Sequence, residues 1–503
     1  MAASVQKLRE FLGFSRTGDN HAEPKHLHDM LEKLGKQDPL QAIQLLLTQY
    51  LPAATAQRNL HMRFKLLESA RAEAERRLPH LERMVGEAVL PLPTDAGAAA
   101  LVADNFLKNM AYAYAGIVSG ISAQSQDNLL SHLMQQAGKR VMLVLLRRQL
   151  LAYRAYATPS ASSWQYMHDL HRAARNRGLA VGGGDHSIER VYLCALLLAY
   201  ADPYGSPRNE LDAIRKTVEA LVPLAGIAEA TPFSRDHESL AARFLVITSE
   251  GHPGRPLART PEDVPTSGNF IIECRAIVSA IDRKLAAAEN GANDVEINAS
   301  PKLLMNLRTA FGGQVSRRFS RVRFKPKTDL VAGFDNVVKF IASGALSRRH
   351  HDQELLSPAE RPPYSEWALI NESPDGFGIR YLKGEKWNIQ AGDLVVLRTR
   401  EDSRIHACLV RRIANLDHKK LELGLQELSP GADIIKLASG EPALLMPRLP
   451  AFGGNAGLIV RPGSVGENTE IGVDRGNGIT RWRPSGQAES NGQIEFHVLE
   501  PVE

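Results

Sequence analysis

Only three cysteines occur in the 503-residue chain, Cys194, Cys274 and Cys408, and they lie far apart. That excludes a disulfide framework and a four-thiolate zinc site, and it fits a reducing compartment, so a cytoplasmic protein is expected. Long apolar runs are also missing. The N-terminal MAASVQKLREFLGF has no uninterrupted apolar core and continues into charged, His-rich sequence, so no signal peptide is expected. The most apolar stretch, Val191 to Tyr200, is about half the length needed to cross a bilayer and reads as a buried helix, so no membrane span is expected.

Catalytic signatures are scarce as well. His21, His26 and His28 lie close together without a carboxylate or cysteine at metal-binding spacing, and His350, His351 and Asp352 sit in a charged loop that matches no metal motif. Gly182-Gly183-Gly184-Asp185-His186 has neither the preceding strand nor the following Lys-Ser/Thr of a phosphate-cradling loop, and reads as a helix-to-helix turn. There is no nucleophile elbow. A binding protein without catalytic residues, metal or cofactor is the expectation.

What is present is an ordinary globular composition, 44% hydrophobic and 23% charged, in a chain longer than one core usually organises. The net charge of +5 and pI near 9.0 favour a polyanionic ligand: a nucleotide, a nucleic acid or an acidic lipid.

Apolar residues recur at helical spacing over residues 1–255, as in LHDMLEKLGKQDPLQAIQLLLTQYL, with strand signals almost absent. SSWQYMHDLHRAARNRGLA and IERVYLCALLLAYADPYG read as a helical pair, and Trp164, His168 and Ala173 give the first a faint tetratricopeptide pattern without a regular period. The Pro/Gly-rich GHPGRPLARTPEDVPTSG marks a linker, and FIIECRAIVSAIDRKLAAAE with SPKLLMNLRTAFG makes residues 256–314 a helical connector. From Val315 the pattern turns to short β-rich segments bounded by Gly, Asp, Asn or Pro, as in a small antiparallel barrel over 315–430. PALLMPR, AGLIVRP, NTEIGV and IEFHVLEP continue it through 431–503 as a further β region packing on or extending the barrel. The fold class expected is therefore multidomain α+β, an all-α N-terminal half before the β structure.

Arg317-Arg318-Phe319-Ser320-Arg321 stands at the entrance to the β region. Guanidinium forks suit phosphate oxygens and the O6/N7 edge of guanine, and their flat faces stack on a base. Alone the spacing carries little, because Arg400 and Arg404 repeat it in a charged loop. The second element is Asn371-Glu372-Ser373-Pro374-Asp375-Gly376, between the strands WALI and GFGIRYL. Its Asn and Ser present donor and acceptor at a strand-to-strand turn, and Gly376 allows a tight one.

In sequence order, Arg-x-x-x-Arg followed by Asn-x-Ser-x-x-Gly resembles the two-part signature of the PilZ family of cyclic di-GMP receptors. NIQAGDLVVLRT resembles the family's Gly-Asp turn and strand, and LELGLQEL its closing strand. The resemblance covers roughly residues 315–430 and implies a six-stranded antiparallel barrel. It further implies that Arg317 and Arg321 hold phosphates and guanine, that Arg318 assists, that Asn371 and Ser373 contact the other guanine edge, and that Gly376 shapes the loop. Binding would order the arginine segment and change the domain arrangement, regulating a protein partner through the helical half. One or two messenger molecules fit the extra cations, Arg318 and Arg323, equally well. The interval between the motifs is longer than usual, and holds GFDNVVKFIASGAL, a helix by its pattern, and a charged loop. The alternative is a basic nucleic-acid-binding or protein-interaction scaffold on a degenerate barrel, in which Trp482 of RWRP stacks on a base.

Overall fold

In a computed structural model the described residues are 24–35, 37–122, 128–181, 184, 187–232, 236–261, 264, 266–289, 299–313, 327–342, 363–399, 405–416, 420–437, 439–466, 470–474 and 479–502. They divide into two compact units, one comprising Met1–Ala88, Leu92–Pro203 and Arg208–Ser316, the other Val89–Pro91, Tyr204–Pro207 and Arg317–Glu503.

The first unit begins with short helices α1 (Pro24–Leu34), α2 (Pro39–Leu45) and α3 (Leu51–Thr55). Three long helices follow, α4 (Leu60–Glu87), α5 (Thr94–Ser122) and α6 (Asn128–Arg154). They pack side by side because each carries a buried apolar stripe, and charged side chains tie them together at half-buried positions. Glu68 on α4 accepts from the Tyr114 hydroxyl on α5 at 2.6 Å and from Arg140 on α6 at 2.8 and 2.7 Å. Burial pushes the Glu68 carboxyl up, and the bonds from Arg140 and Tyr114 outweigh it, leaving its pKa below the ordinary value.

The anticipated helical pair is α7 (Ala161–Asn176) and α8 (Ile188–Tyr200), each opened by a serine cap: Ser160 accepts from Ser163 N–H and Ser187 from Arg190 N–H. α9 (Leu211–Leu221) completes this part of the bundle.

Beyond it the structure shows more strand than the linker and helical connector, with at most one intervening strand, that the sequence led us to expect. β1 (Gly226–Glu229), β2 (Arg243–Val246), β3 (Arg255–Pro256) and β4 (Phe270–Glu273) form one antiparallel sheet in the order β1-β4-β2-β3, with a one-turn helix α10 (His237–Leu240) between β1 and β2. The boundary anticipated near residue 255 thus falls inside a sheet. FIIE, expected to begin a helix, is β4, flanked by β1 and β2 and buried at Phe270, Ile271 and Ile272. A short apolar run is ambiguous between buried helix and buried strand until its neighbours are known. The helices α11 (Arg275–Glu289) and α12 (Pro301–Gly312) close the unit.

The second unit contains β5 (Lys327–Ala332), helix α13 (Phe334–Ala342), β6 (Ser365–Ser373), β7 (Gly376–Gly384), β8 (Leu394–Thr399), β9 (Ile405–Leu416) and β10 (Lys420–Ser429). The strands close into an antiparallel barrel in the order β10-β7-β6-β5-β8-β9, as anticipated, and α13 is the helix foreseen between the two motifs. Trp367, Leu369, Phe377, Ile379, Leu423 and Leu425 are buried. Asp329 and Arg398, cross-strand partners on β5 and β8, form a buried ion pair at 2.8 Å.

The C-terminal β region is a six-stranded antiparallel sheet of β11 (Asp433–Lys436), β12 (Pro442–Met446), β13 (Ala456–Val460), β14 (Ile471–Asp474), β15 (Ile479–Ser490) and β16 (Glu495–Pro501), in the order β11-β12-β13-β16-β15-β14. Its Leu444, Met446, Ile459 and Phe496 share one apolar core with Val331, Val396 and Leu409 of the barrel and Phe340 of α13.

Candidate functional site

Ser373 and Gly376 pair across the β6–β7 hairpin, with Pro374 and Asp375 at its tip. The Ser373 hydroxyl donates to Gly376 C=O at 3.3 Å, and Asp375 C=O accepts from Glu427 N–H on β10 at 3.0 Å. Gly376 has φ +144°, and a Cβ there would stand 2.0 Å from the Leu425 carbonyl oxygen, so no other residue fits against β10.

Asn371 follows a register shift between Leu369 and Asn371, which resets the pleat of β6, and its partner on β7 is Gly378. A Cβ on Gly378 would come within 2.6 Å of Asn371 Oδ1 and 2.8 Å of Nδ2. The amide of Asn371 therefore lies across a backbone that has no side chain.

Phe377 and Ile379 on β7 are buried, as are Leu423 and Leu425 on β10, so alternation puts Gly378 and Gly424 on the opposite face of the sheet, where Gly424 is half-buried and Gly378 is buried beneath the Asn371 amide. Gly378 pairs with Gly424, and Gly424 pairs with Arg412 on β9. Four strands thus contribute one row, Asn371, Gly378, Gly424, Arg412, with an amide at one end lying over Gly378, a guanidinium at the other and half-buried glycine backbone at Gly424 between them. Arg412 is exposed and its guanidinium lies 5.0 Å from the centre of the Tyr204 ring. Arg380 and Glu422 form the next pair along, with Arg380 donating to Glu422 Oε1 at 2.9 and 2.6 Å. On the other side Arg411 donates to Gln426 Oε1 at 2.7 Å and to Glu489 on β15 at 2.6 and 2.5 Å.

Such a row has no side chain beyond Cα at Gly424 and carries hydrogen-bonding side chains at its two margins. The structure brings Asn371, Ser373 and Gly376 together on one hairpin. Arg317, Arg318 and Arg321 lie outside the described residues, shortly before β5. Gly378, Gly424, Arg380 and Arg412 were missed by the sequence reading. The available signal was a glycine inside each of two strand patterns, GFGIRYL and LELGLQEL, which marks close backbone approach.

Residues 342–433 match the family model for the middle PilZ domain of the cyclic-di-GMP receptor FimW, and residues 25–231 match that for the FimW N-terminal domain. The chain belongs to the PilZ family of cyclic di-GMP receptors. No curated protein and no solved structure matches it significantly. The PilZ match overlaps the resemblance drawn over 315–430 and takes in β6 to β10, ending at the first residue of β11, whereas β5 and the arginine segment lie upstream of it. Cyclic di-GMP is the ligand of this receptor family, and the PilZ barrel carries the row of Asn371, Gly378, Gly424 and Arg412.

The competing uses anticipated for other residues fare differently. Trp482 is 7% exposed, in the core of the C-terminal sheet beneath the Arg448 guanidinium at 5.5 Å, so it is not presented for stacking on a base. Its strand alternation turns it inward, while Arg481 and Arg483 beside it face out and reach Glu470. His26 and His28 lie on α1, where His28 pairs with Glu32 at 3.5 Å, and no group able to hold a metal ion is found among the described residues. His21, Gly182, Gly183, Asp185, His186, His350, His351 and Asp352 are outside them. Among the described residues no helix is long and apolar enough to cross a membrane.

Proposed function

We propose that cyclic di-GMP is held between the arginine segment and the outer face of the PilZ barrel. Arg317 and Arg321 clasp phosphate and guanine, Arg318 adds a neighbouring cation, Asn371 and Ser373 hydrogen-bond the other guanine edge, and Gly376 keeps the hairpin against β10. The observation that supports this most directly is the row Asn371, Gly378, Gly424, Arg412, because an amide fixed over Gly378, with half-buried glycine backbone at Gly424 and a guanidinium beyond it, suits a flat purine.

The arginine segment joins α12 of one unit to β5 of the other, and the division between the units falls at Ser316 and Arg317. Ligand captured there biases the arrangement of the two units, and the helical half passes the change to a protein partner. The protein acts as a non-enzymatic effector in the cytoplasm, with cyclic di-GMP as its ligand and no cofactor of its own, a reading favoured over nucleic-acid binding.

Calorimetric titration of cyclic di-GMP into the full chain and into Arg317→Ala/Arg321→Ala tests the site. Saturable binding that is lost in the double variant is the expected result. Equal affinity in both proteins would remove the arginine segment from the site, and no binding to either would leave the barrel as a scaffold.

A further inference from the structure

The first unit has a second concave polar site, remote in sequence from the PilZ motif. A cleft of about 420 Å³ lies where α7 meets the ends of β2 and β4, lined by Arg172, Thr248, Ser249, Glu250, Arg255 and Asn269 among others. Its volume is within the range of small-molecule sites. Its β-sheet side lies between the two stretches that the family models match.

The floor is built. Thr248 is 3% exposed and Asn269 5%. Asn269 Oδ1 accepts from Thr248 N–H at 3.0 Å, the Thr248 hydroxyl donates to Gly268 C=O at 2.9 Å, and Arg172 donates to Thr248 Oγ1 at 3.2 Å. Gln165 of α7 donates to Thr248 C=O at 2.7 Å.

The loop that carries Glu250 onward to Arg255 is held the same way, by side chains that α7 and α8 direct at its carbonyls. His168 Nε2 lies 2.8 Å from His252 C=O and the Tyr200 hydroxyl donates to Pro253 C=O at 2.7 Å. Gly251 and Gly254 permit the close approach: a Cβ at Gly251 would be 2.5 Å from Ala161 Cβ, and one at Gly254, where φ is +101°, would be 2.6 Å from Leu245 C=O. A wall fixed by so many specific contacts needs no reordering when a ligand arrives.

Two guanidiniums stand at its rim. Arg172 pairs with Asp169 at 2.6 Å and Arg255 with Glu250 at 3.3 Å, both at half-exposed positions. Exposed pairs of this kind hold weakly, and a planar oxyanion that engages either fork bidentately competes with them. Lining hydroxyls of Ser249 and Ser267 supply further donors, and Ile247 with Val264 supplies an apolar margin. We infer that this cleft binds a small metabolite bearing a carboxylate or phosphate, of mononucleotide size or less, independently of cyclic di-GMP.

The test titrates inorganic phosphate, citrate and adenosine 5′-monophosphate separately into the full chain, into Arg172→Gln/Arg255→Gln and into Ser249→Trp, which fills the cleft from an exposed position and keeps both arginines. Phosphate and citrate as binders would identify a free anion site, and the mononucleotide alone would identify a nucleotide site. The expected result is saturable binding of at least one probe at submillimolar concentration, weakened tenfold or more in both variants while cyclic di-GMP affinity is unchanged. Unchanged cyclic di-GMP binding together with a wild-type thermal midpoint certifies the fold of each variant. No saturable binding of any probe, or binding that survives Ser249→Trp, would overturn the inference.

Discussion

At the scale of single residues the PilZ face depends on what is missing. Gly378 has to be glycine because it is buried beneath the amide of Asn371, which any Cβ there would displace. Gly378→Val is expected to weaken cyclic di-GMP binding at least tenfold by displacing Asn371, and Asn371→Ala by about tenfold, the equivalent of roughly 1–1.5 kcal/mol for one hydrogen-bonding group. Gly431→Ala, where an added Cβ meets nothing within 4 Å, serves as the control and should bind like the parent protein. Calorimetry on the three variants checks this, and a Gly378→Val protein with unimpaired affinity would detach the row from the ligand. The spacing of Asn371, Ser373 and Gly376 was legible in the sequence because a hairpin motif is local. Gly378, Gly424 and Arg412 were not, because the row that joins them exists only once the register of four strands is fixed, and register is a non-local property.

At the scale of elements the same distinction explains which secondary structure could be foreseen. The barrel strands alternate between buried and exposed residues and are bounded by turn residues, so they were legible. β15 was not, because Pro484 and Gly486 interrupt its pattern at a register shift that lets the chain stay paired with β16. The α7–α8 pair was recognised by its periodicity, yet its chemistry was hidden in burial. His168 is fully buried, with Nε2 directed at His252 C=O and Nδ1 2.7 Å from the Tyr192 hydroxyl, an arrangement that suits the neutral ring. Burial first, then the neighbouring charges of His171, Arg172 and His252, depress its pKa to about 4, against the raising effect of the bond to His252 C=O. His171, stacked 4.3 Å from Tyr192 and facing Glu189 at 3.3 Å and Arg175, is also depressed, burial again being the main cause. A depressed histidine takes up its proton more readily when unfolded, so its contribution is complete above about pH 6.5 and is lost as the pH falls towards 4. For His168 the loss amounts to roughly 3 kcal/mol across that window. Amide exchange of α7 should therefore accelerate as the pH is lowered from 7 to 4.5, after correction for intrinsic rates, and His168→Asn should flatten the dependence. Equal slopes in the two proteins would place the pH sensitivity elsewhere.

At the scale of the whole molecule, the last seventy or so residues, expected as β structure packing on or extending the barrel, form a sheet joined to it through one core. Leu444, Met446, Ile459 and Phe496 of the C-terminal sheet fill one core with Val331, Val396, Leu409 and Phe340. Arg461 reaches Asp335 at 2.5 Å and Asn491 donates to Gly392 C=O at 2.6 Å, so polar contacts seal the same junction. A local motif points to where a ligand belongs, but the extent of a core follows from tertiary packing that a barrel-sized pattern does not reveal. Removing 431–503 would bare a continuous apolar face, and burial of each large side chain on it is worth about 1.5–3 kcal/mol, so the few lost here together match the net stability of a small domain. A fragment of residues 314–430 is therefore expected to be aggregation-prone, or to bind anilinonaphthalene sulfonate and lack a cooperative thermal transition. A fragment of 314–503 is expected to unfold cooperatively and to retain cyclic di-GMP binding. Cooperative melting and full ligand affinity in the shorter fragment would show that the barrel stands alone, and the shared core would then be an accessory contact.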